Sequence, residues 1–232
     1  MKELLKHNSV FLGLSLILII VLGLALLYIP KGELHLLLCD RHTCARDTFY
    51  RYYTQMAEWI PYVICLLLLF YRAGSAAMAA VGVALSGLCT QIIKHIVDAP
   101  RPLTWFATHF PNLQLPLVDG VKMSQYYSFP SGHTTTFFAL FFALSIILTE
   151  RTSRSGKTTH FERTISYMAQ IVLFVAATLG GYSRIYLSQH FAADVLAGIV
   201  VGIAITLVSY AIFHRFEDKK WYNYHFFAKK CT

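Results

Sequence analysis

The sequence predicts an all-α integral membrane protein built as a six-helix bundle. Of its 232 residues, 56% are apolar and 14% are charged, which is too little polar surface for an ordinary soluble domain. Six apolar stretches approach the roughly 20 residues that a helix needs to cross a hydrocarbon core. No tandem repeat or Pro/Gly/Ser-rich linker divides the chain, so we assign residues 1–232 to one domain.

The predicted spans can be justified in chain order. The first, 10–29, is too long for a removable signal peptide and lacks a small-residue cleavage site after it. The second, 59–71, is short, and the tyrosine-rich residues 49–56 extend it as an interfacial turn. The third, 73–97, is rich in the small residues that let membrane helices pack closely. The other spans are 131–149, 165–182 and 191–213.

The last span contains a pair of glycines, Gly198 and Gly202, four residues apart. Such a small-xxx-small pair indicates a contact with another helix. Glycine is also common in membrane helices in general. The sequence alone does not decide between these two interpretations.

The basic residues predict the orientation in the membrane. With the N-terminus inside, the cytoplasmic side carries twelve Lys and Arg residues and the other side eight, and cytoplasmic loops carry the excess. We therefore expect both termini in the cytoplasm. The sequence has no Asn-x-Ser/Thr glycosylation acceptor, which favours a bacterial inner membrane. The C-terminal Lys229-Lys230-Cys231-Thr232 also resembles a dilysine retrieval signal of the endoplasmic reticulum, but a basic cytoplasmic tail gives the same residues.

Two of the five cysteines, Cys39 and Cys44, fall in a loop on the outer side. They form either a small disulfide, if that compartment is oxidising, or two free thiols. Cys65 and Cys89 lie in predicted spans, where a cysteine behaves as a packing residue.

Three short polar strings lie at the ends of these apolar spans. They are Lys94 with Arg101-Pro102, Pro130-Ser131-Gly132-His133, and Ser183-Arg184 followed by His190 and Asp194. An unpaired ionisable group at membrane depth is costly, so such residues point to a function. With six spans and the N-terminus inside, all three strings fall on the outer face. The sequence therefore predicts one active site at the extracytoplasmic membrane interface.

The catalytic candidates are His190, Asp194 and His133. His190 and Asp194 are four residues apart at a helix start, so their side chains share one face. The carboxylate can hold one imidazole nitrogen and leave the other as a nucleophile toward phosphorus. His133 is placed to protonate the leaving alcohol, and water then hydrolyses the phosphohistidine intermediate.

The candidates for phosphate binding come from all three strings. Ser131 and Gly132 open a helix, where free amide groups and the helix dipole favour an anion. Lys94, Arg101 and Arg184 supply the fixed cations that stabilise a phosphoryl transition state. This anion site and the membrane topology together explain the net charge of +8, so no nucleic-acid partner is needed.

Together the three strings resemble the three-part signature of the type 2 phosphatidic acid phosphatase superfamily, which includes lipid phosphatases, glucose-6-phosphatase and vanadium haloperoxidases. All eleven signature positions match in order between Lys94 and Asp194. The resemblance implies the family's helical core and a metal-independent hydrolase of phosphoric monoesters or pyrophosphates without a cofactor. A metal site on His133, His190 and Asp194 is the alternative, but three neighbouring cations would repel the ion.

We expect a lipid phosphatase, because the site opens at membrane level and no soluble substrate domain is evident. Candidate substrates by resemblance are undecaprenyl pyrophosphate, phosphatidylglycerol phosphate, phosphatidic acid and lipid A phosphates. Lys122 is a further candidate for contact with a second phosphate or a sugar. One alternative is a phosphatase or phosphotransferase for a soluble phosphomonoester. An alternative of another class is a membrane transporter or non-catalytic lipid-binding protein.

Overall fold

The computed structural model describes residues 1–154 and 159–224, and it is helical throughout the long apolar stretches. Within these ranges, six helices are long and apolar enough to cross a membrane, as the sequence predicts. The C-terminal dilysine string lies outside the described residues. In chain order the helices are α1 (Lys2–His7), α2 (Ser9–Tyr28), α3 (Lys31–Leu38), α4 (Cys44–Tyr71), α5 (Ala73–Val97), α6 (Pro102–His109), α7 (Gly132–Arg154), α8 (His160–Tyr186) and α9 (Ala192–Phe213).

The second span differs from its prediction. Residues 49–56 are not an interfacial turn, because α4 is one continuous helix of 28 residues. The hydroxyl of Thr43 caps its start by accepting the Arg46 amide at 3.3 Å. Pro61 lies inside α4, where the surroundings of a membrane helix tolerate the lost backbone hydrogen bond. Helix α8 likewise extends past both ends of the predicted 165–182.

Helix α7 lies at the centre of the bundle. In its membrane-spanning segment, 72% of the residues are buried. The helix packs against α5, α8 and α9. A Cβ atom at Gly198 of α9 would lie 2.8 Å from the Ser131 carbonyl oxygen, and one at Gly202 would lie 2.7 Å from that of Thr135. The two glycines therefore allow α9 to approach the backbone of α7, which decides for the helix-contact interpretation.

One end of the bundle, which we name the site end, carries the three polar strings. Helices α5 and α8 end there, and α7 and α9 begin there. The short helices α3 and α6 and the segment 110–131 also lie at this end. Cys39 is buried and Cys44 is exposed, and both are free thiols rather than a disulfide.

The opposite end of the bundle holds polar side chains that are paired with one another. Arg72 Nη2 lies 2.6 Å from Glu150 Oε2. Asn8 donates to the Thr149 hydroxyl at 3.0 Å and accepts from the Ser145 hydroxyl at 2.6 Å. These groups are largely buried, and their mutual hydrogen bonds remove much of the cost of burying them.

Candidate active site

A cavity of about 270 Å³ at the site end brings the three polar strings together. Residues separated by almost a hundred positions meet there because α5 ends where α7 and α9 begin. Thr90, Gln91 and Thr136 form part of the remaining wall. The lining includes six of the eight predicted site residues: Lys94, Arg101, Gly132, His133, Arg184 and His190.

Behind the cavity wall, the carboxylate of Asp194 is held by three groups. His190 Nδ1 lies 3.4 Å from Asp194 Oδ2. The same oxygen accepts a hydrogen bond from the Ser128 hydroxyl at 2.5 Å and from the Phe191 amide at 2.9 Å. A carboxylate fixed in this way orients the imidazole, so that Nε2 of His190 is the nitrogen available toward the cavity.

Burial lowers the pKa of His190 well below its usual value of 6.5, although the hydrogen bond to Asp194 acts in the opposite direction. The charge of Arg184 lowers this pKa further. The imidazole is therefore neutral near pH 7. A neutral imidazole keeps the lone pair that nucleophilic attack requires.

Three cations line the cavity, and the hydrogen-bond partners of the two arginines are neutral groups. Lys94, Arg101 and Arg184 are each less than a tenth exposed. The Lys94 side chain makes no hydrogen bond or ion pair with another described residue, and Arg184 Nε is buried without a partner in the described part of the chain. Buried donors without partners are unfavourable unless a ligand binds them. The cavity is thus suited to an anion.

Ser131 and Gly132, the two residues predicted to bind phosphate at the start of α7, have different environments. The Ser131 amide donates to the Asp194 carbonyl at 2.9 Å, and its hydroxyl accepts from Thr134 at 2.9 Å. Ser131 is fully buried, so it joins α7 to α9 rather than offering its amide to an anion. Gly132 and His133 line the cavity, and their amides are the ones placed for anion binding.

Several side chains at the site are missed by sequence reasoning. Thr54 of α4 accepts from Arg184 Nη1 at 2.7 Å. Glu58 Oε1 lies 3.4 Å from His133 Nε2, and its sequence signal is a carboxylate directly before the predicted apolar span 59–71. Ser128 and Gln189 are the other two, and nothing in their sequence surroundings marks them.

Lys122, the further candidate for contact with a second phosphate or a sugar, lies at the site end. Its side chain is exposed, and its backbone carbonyl accepts from Gln189 Nε2 at 2.9 Å. Lys122 thus contributes backbone to the site end. Its side chain stays a candidate for binding a larger head group.

Potential metal ligands occur elsewhere in the described part of the chain. The ligand atoms of Glu150, His214 and Glu217 lie within 4.8 Å of one another. Arg72 already pairs with Glu150, so a cation bound there would compete with a guanidinium. This group is at the end of the bundle opposite the cavity.

Comparison with known proteins agrees with the signature. The model of the PAP2 superfamily matches residues 75–218, which is more than half of the chain. The chain belongs to the PAP2 superfamily. The match includes all three polar strings, so the cavity described above lies within the PAP2 region.

Two relatives of known name share 29% sequence identity with this chain. The chain is 29% identical over 211 residues to probable lipid phosphate phosphatase 4 of Arabidopsis thaliana, covering 78% of this chain and 66% of the relative. It is 29% identical over 173 residues to lipid A 4'-phosphatase of Porphyromonas gingivalis, covering 70% and 64%. In both cases the match spans just under two thirds of the relative's length.

Two solved PAP2-like structures share the fold. The crystal structure of Aquifex aeolicus LpxE superimposes with a TM-score of 0.59 at 23% identity, covering 77% of this chain and 93% of that one. The Bacillus subtilis transmembrane PAP2 type phosphatidylglycerolphosphate phosphatase gives 0.63 at 21% identity, covering 93% and 100%. The second comparison extends the structural likeness to nearly the whole chain.

Proposed function

We propose that this PAP2 superfamily member is a membrane lipid phosphatase that hydrolyses the terminal phosphate of a lipid phosphate or pyrophosphate. The observation that carries the proposal is an apolar groove of about 400 Å³ between α4 and α5. The groove and the phosphate cavity share a boundary. Four residues line both: Ala57, Gly87, Gln91 and Thr136.

The groove has the chemistry and the length of a site for one apolar chain. Its α5 wall runs from Gln91 back to Ala80, a distance of about 16 Å along a helix. One leaflet of a hydrocarbon core about 30 Å thick has almost the same depth, about 15 Å. Tyr62 and Leu88 on its rim are 76% and 57% exposed, so the groove opens on the surface that faces lipid. A soluble phosphomonoester would leave this groove without a ligand.

The relatives support the same substrate class. The names of the Arabidopsis and Porphyromonas relatives describe phosphatases of lipid phosphates and of lipid A, and one structural neighbour is named for phosphatidylglycerolphosphate. The candidate substrates for this chain are undecaprenyl pyrophosphate, lipid A phosphate, phosphatidylglycerol phosphate and phosphatidic acid.

The proposed reaction has two steps. In the first, Nε2 of His190 attacks phosphorus, the bond to the leaving oxygen breaks, and protonated His133 donates its proton to that oxygen. Lys94, Arg101 and Arg184 stabilise the charge on the phosphoryl oxygens. In the second step, the oxygen of a water molecule attacks phosphorus while neutral His133 accepts a proton from that water. The phosphorus–nitrogen bond then breaks and releases phosphate. Neither step requires a metal ion or a cofactor.

We also propose the orientation predicted from the basic residues. Residues 1–232 act as one domain in a bacterial inner membrane, with both termini in the cytoplasm and the cavity on the periplasmic or exterior side. A membrane-impermeant maleimide added to intact cells tests this, because Cys44 is exposed at the site end. In a Cys231→Ser background, labelling is expected in intact cells. Labelling that needs cell lysis would reverse the orientation.

The activity is tested with the purified full chain in detergent. Phosphate release is measured for the four lipid classes and for two soluble esters, glucose 6-phosphate and p-nitrophenyl phosphate. We expect at least one lipid to exceed both soluble esters in kcat/KM, and His190→Ala to lower release by about 1000-fold or more. Preference for the soluble esters would favour the alternative phosphatase. Binding of a lipid phosphate without release would favour a non-catalytic protein.

A further inference from the structure

Gln189, the residue before the proposed nucleophile, joins two of the site's cations. Its side-chain oxygen Oε1 accepts from Arg101 Nη1 at 3.0 Å and from Arg184 Nη2 at 3.1 Å. The residue is 4% exposed. The two guanidinium groups come from different polar strings, and they converge on this single neutral oxygen. Gln189 is not one of the eleven signature positions.

The orientation of the Gln189 amide follows from its neighbours. Nε2 donates to the Lys122 carbonyl at 2.9 Å and contacts Met123 Sδ at 3.1 Å. Guanidinium groups can only donate and a carbonyl can only accept, so exchanging Oε1 and Nε2 would break these bonds. The backbone amide of Gln189 is also bound, to the Arg184 carbonyl at 2.9 Å. The side chain is thus held at both ends.

The amide oxygen of Gln189 is a neutral acceptor that holds two positively charged groups close together. Two guanidinium groups that meet in a buried site repel each other. The nearby carboxylates of Glu58 and Asp194 contact His133 and His190 instead of the arginines. A carboxylate would hold both groups but would cancel positive charge that the phosphate needs. An amide oxygen binds both groups and leaves their full charge for the substrate.

We propose that Gln189 is a positioning residue that sets the spacing and direction of Arg101 and Arg184 for the phosphoryl group. This inference rests on the proposed function, since it assigns a role in the same site. Gln189 itself does not touch the reacting atoms. It acts through the two arginines, and the segment around Lys122 holds it in place.

Two substitutions separate positioning from charge. Gln189→Met keeps the length of the side chain but removes the shared acceptor, and kcat/KM is expected to fall by about 10- to 100-fold. Gln189→Glu keeps an acceptor but adds a negative charge. It is expected to raise KM and the inhibition constant for orthovanadate by at least about 10-fold, more than Gln189→Met does.

A double-mutant cycle distinguishes positioning from a structural role. In an Arg101→Met background, Gln189→Met is expected to cost about 3- to 10-fold in kcat/KM instead of 10- to 100-fold, because one of its two arginine contacts is already lost. Gln170→Met is the matched control. Gln170 is also buried and hydrogen bonded, but it contacts Phe11 and His7 about 21 Å along α8 from Arg184. It is expected to change the melting temperature and to leave kcat/KM of the folded protein unchanged.

Anion binding tests the role of Gln189 independently of the proposed lipid substrate. Binding of orthovanadate and of inorganic phosphate to the full chain in detergent is measured by thermal shift. Gln189→Met is expected to weaken the binding of both anions by about 10-fold. If no lipid is hydrolysed but this weakening is seen, the proposed function is wrong and the positioning role holds. Wild-type anion binding and wild-type kcat/KM in folded Gln189→Met would overturn the positioning role.

Discussion

Both ends of the bundle contain buried arginines, but the partners of these arginines differ in charge. At the opposite end, Arg72 lies 2.6 Å from a carboxylate oxygen of Glu150 and donates through Nε to Ser75 at 2.8 Å. At the site end, Arg101 and Arg184 have neutral partners, and Arg184 Nε has none among the described residues.

The difference separates a buried charge that is paired within the fold from the buried charges that we propose bind the substrate phosphate. A buried ion pair is complete without a ligand, and removing one partner leaves an uncompensated charge. The site end carries an excess of positive charge with unused donors, which costs stability until an anion binds. A buried guanidinium group that has no carboxylate in direct contact therefore distinguishes the candidate site from the opposite end.

The largest expected effect comes from substituting one arginine at each end. Arg184→Met should lower kcat/KM by about 100- to 1000-fold, because it removes transition-state stabilisation, and should leave the melting temperature unchanged or higher. Arg72→Met should destabilise the fold by about 3–5 kcal/mol, because the largely buried carboxylate of Glu150 loses its guanidinium partner. Folded Arg72→Met protein should keep wild-type kcat/KM. Kinetics and thermal melts of both variants check this, and the reverse pattern would contradict the comparison.

A smaller effect is expected for a hydroxyl at each end. Ser128→Ala removes the 2.5 Å hydrogen bond to Asp194 and should lower kcat by about 10-fold, because the carboxylate that orients His190 becomes less fixed. Ser145→Ala removes the 2.6 Å hydrogen bond to Asn8 at the other end. It should lower the melting temperature without lowering kcat. Equal kcat values for the two variants would show that Ser128 has no part in orienting the nucleophile His190.

The smallest effect concerns pH and stability at the site end. Burial lowers the pKa of His35 to about 4, with Asp194 acting against the shift and Lys31 adding to it. Its Nε2 lies 3.3 Å from the Ser188 hydroxyl. Because the unfolded state binds the proton first, the free energy of unfolding should fall as pH drops from about 6.5 toward 4. The contribution of His35 is fully present above pH 6.5.

Melting temperatures between pH 7.5 and 4.5 test this contribution. The variant His35→Phe keeps an aromatic ring next to Phe106 and Phe191 but cannot titrate. It should lose a few degrees less than the wild type over this range, while His190 continues to contribute in the same direction. Identical slopes would show that His35 is not buried as a neutral imidazole.

The sequence predicts the features that depend on run length and local spacing. Six apolar runs give six spans, and counting them brings Lys94, His133 and His190 to one end of the bundle. The pairing of His190 with Asp194 follows from their spacing of four residues at a helix start. Glycine spacing indicates the contact of α9 with α7, although only the structure decides it.

Other features depend on contacts between distant parts of the chain. Ser128 reaches Asp194 across 66 positions, and Thr54 reaches Arg184 across 130. Neither contact leaves a local pattern. The continuous helix α4 is missed because the tyrosine-rich residues 49–56 are typical of a membrane interface, whereas in the structure the helix continues through them.

The lateral opening of the groove between α4 and α5 also determines which concentration of the proposed lipid substrate controls the reaction rate. A lipid that enters between Tyr62 and Leu88 diffuses in two dimensions within one leaflet. Its effective concentration is then a mole fraction in the membrane, not an amount per volume of solution. Diluting a lipid phosphate with inert lipid at constant total substrate should therefore slow the reaction, whereas adding buffer should not.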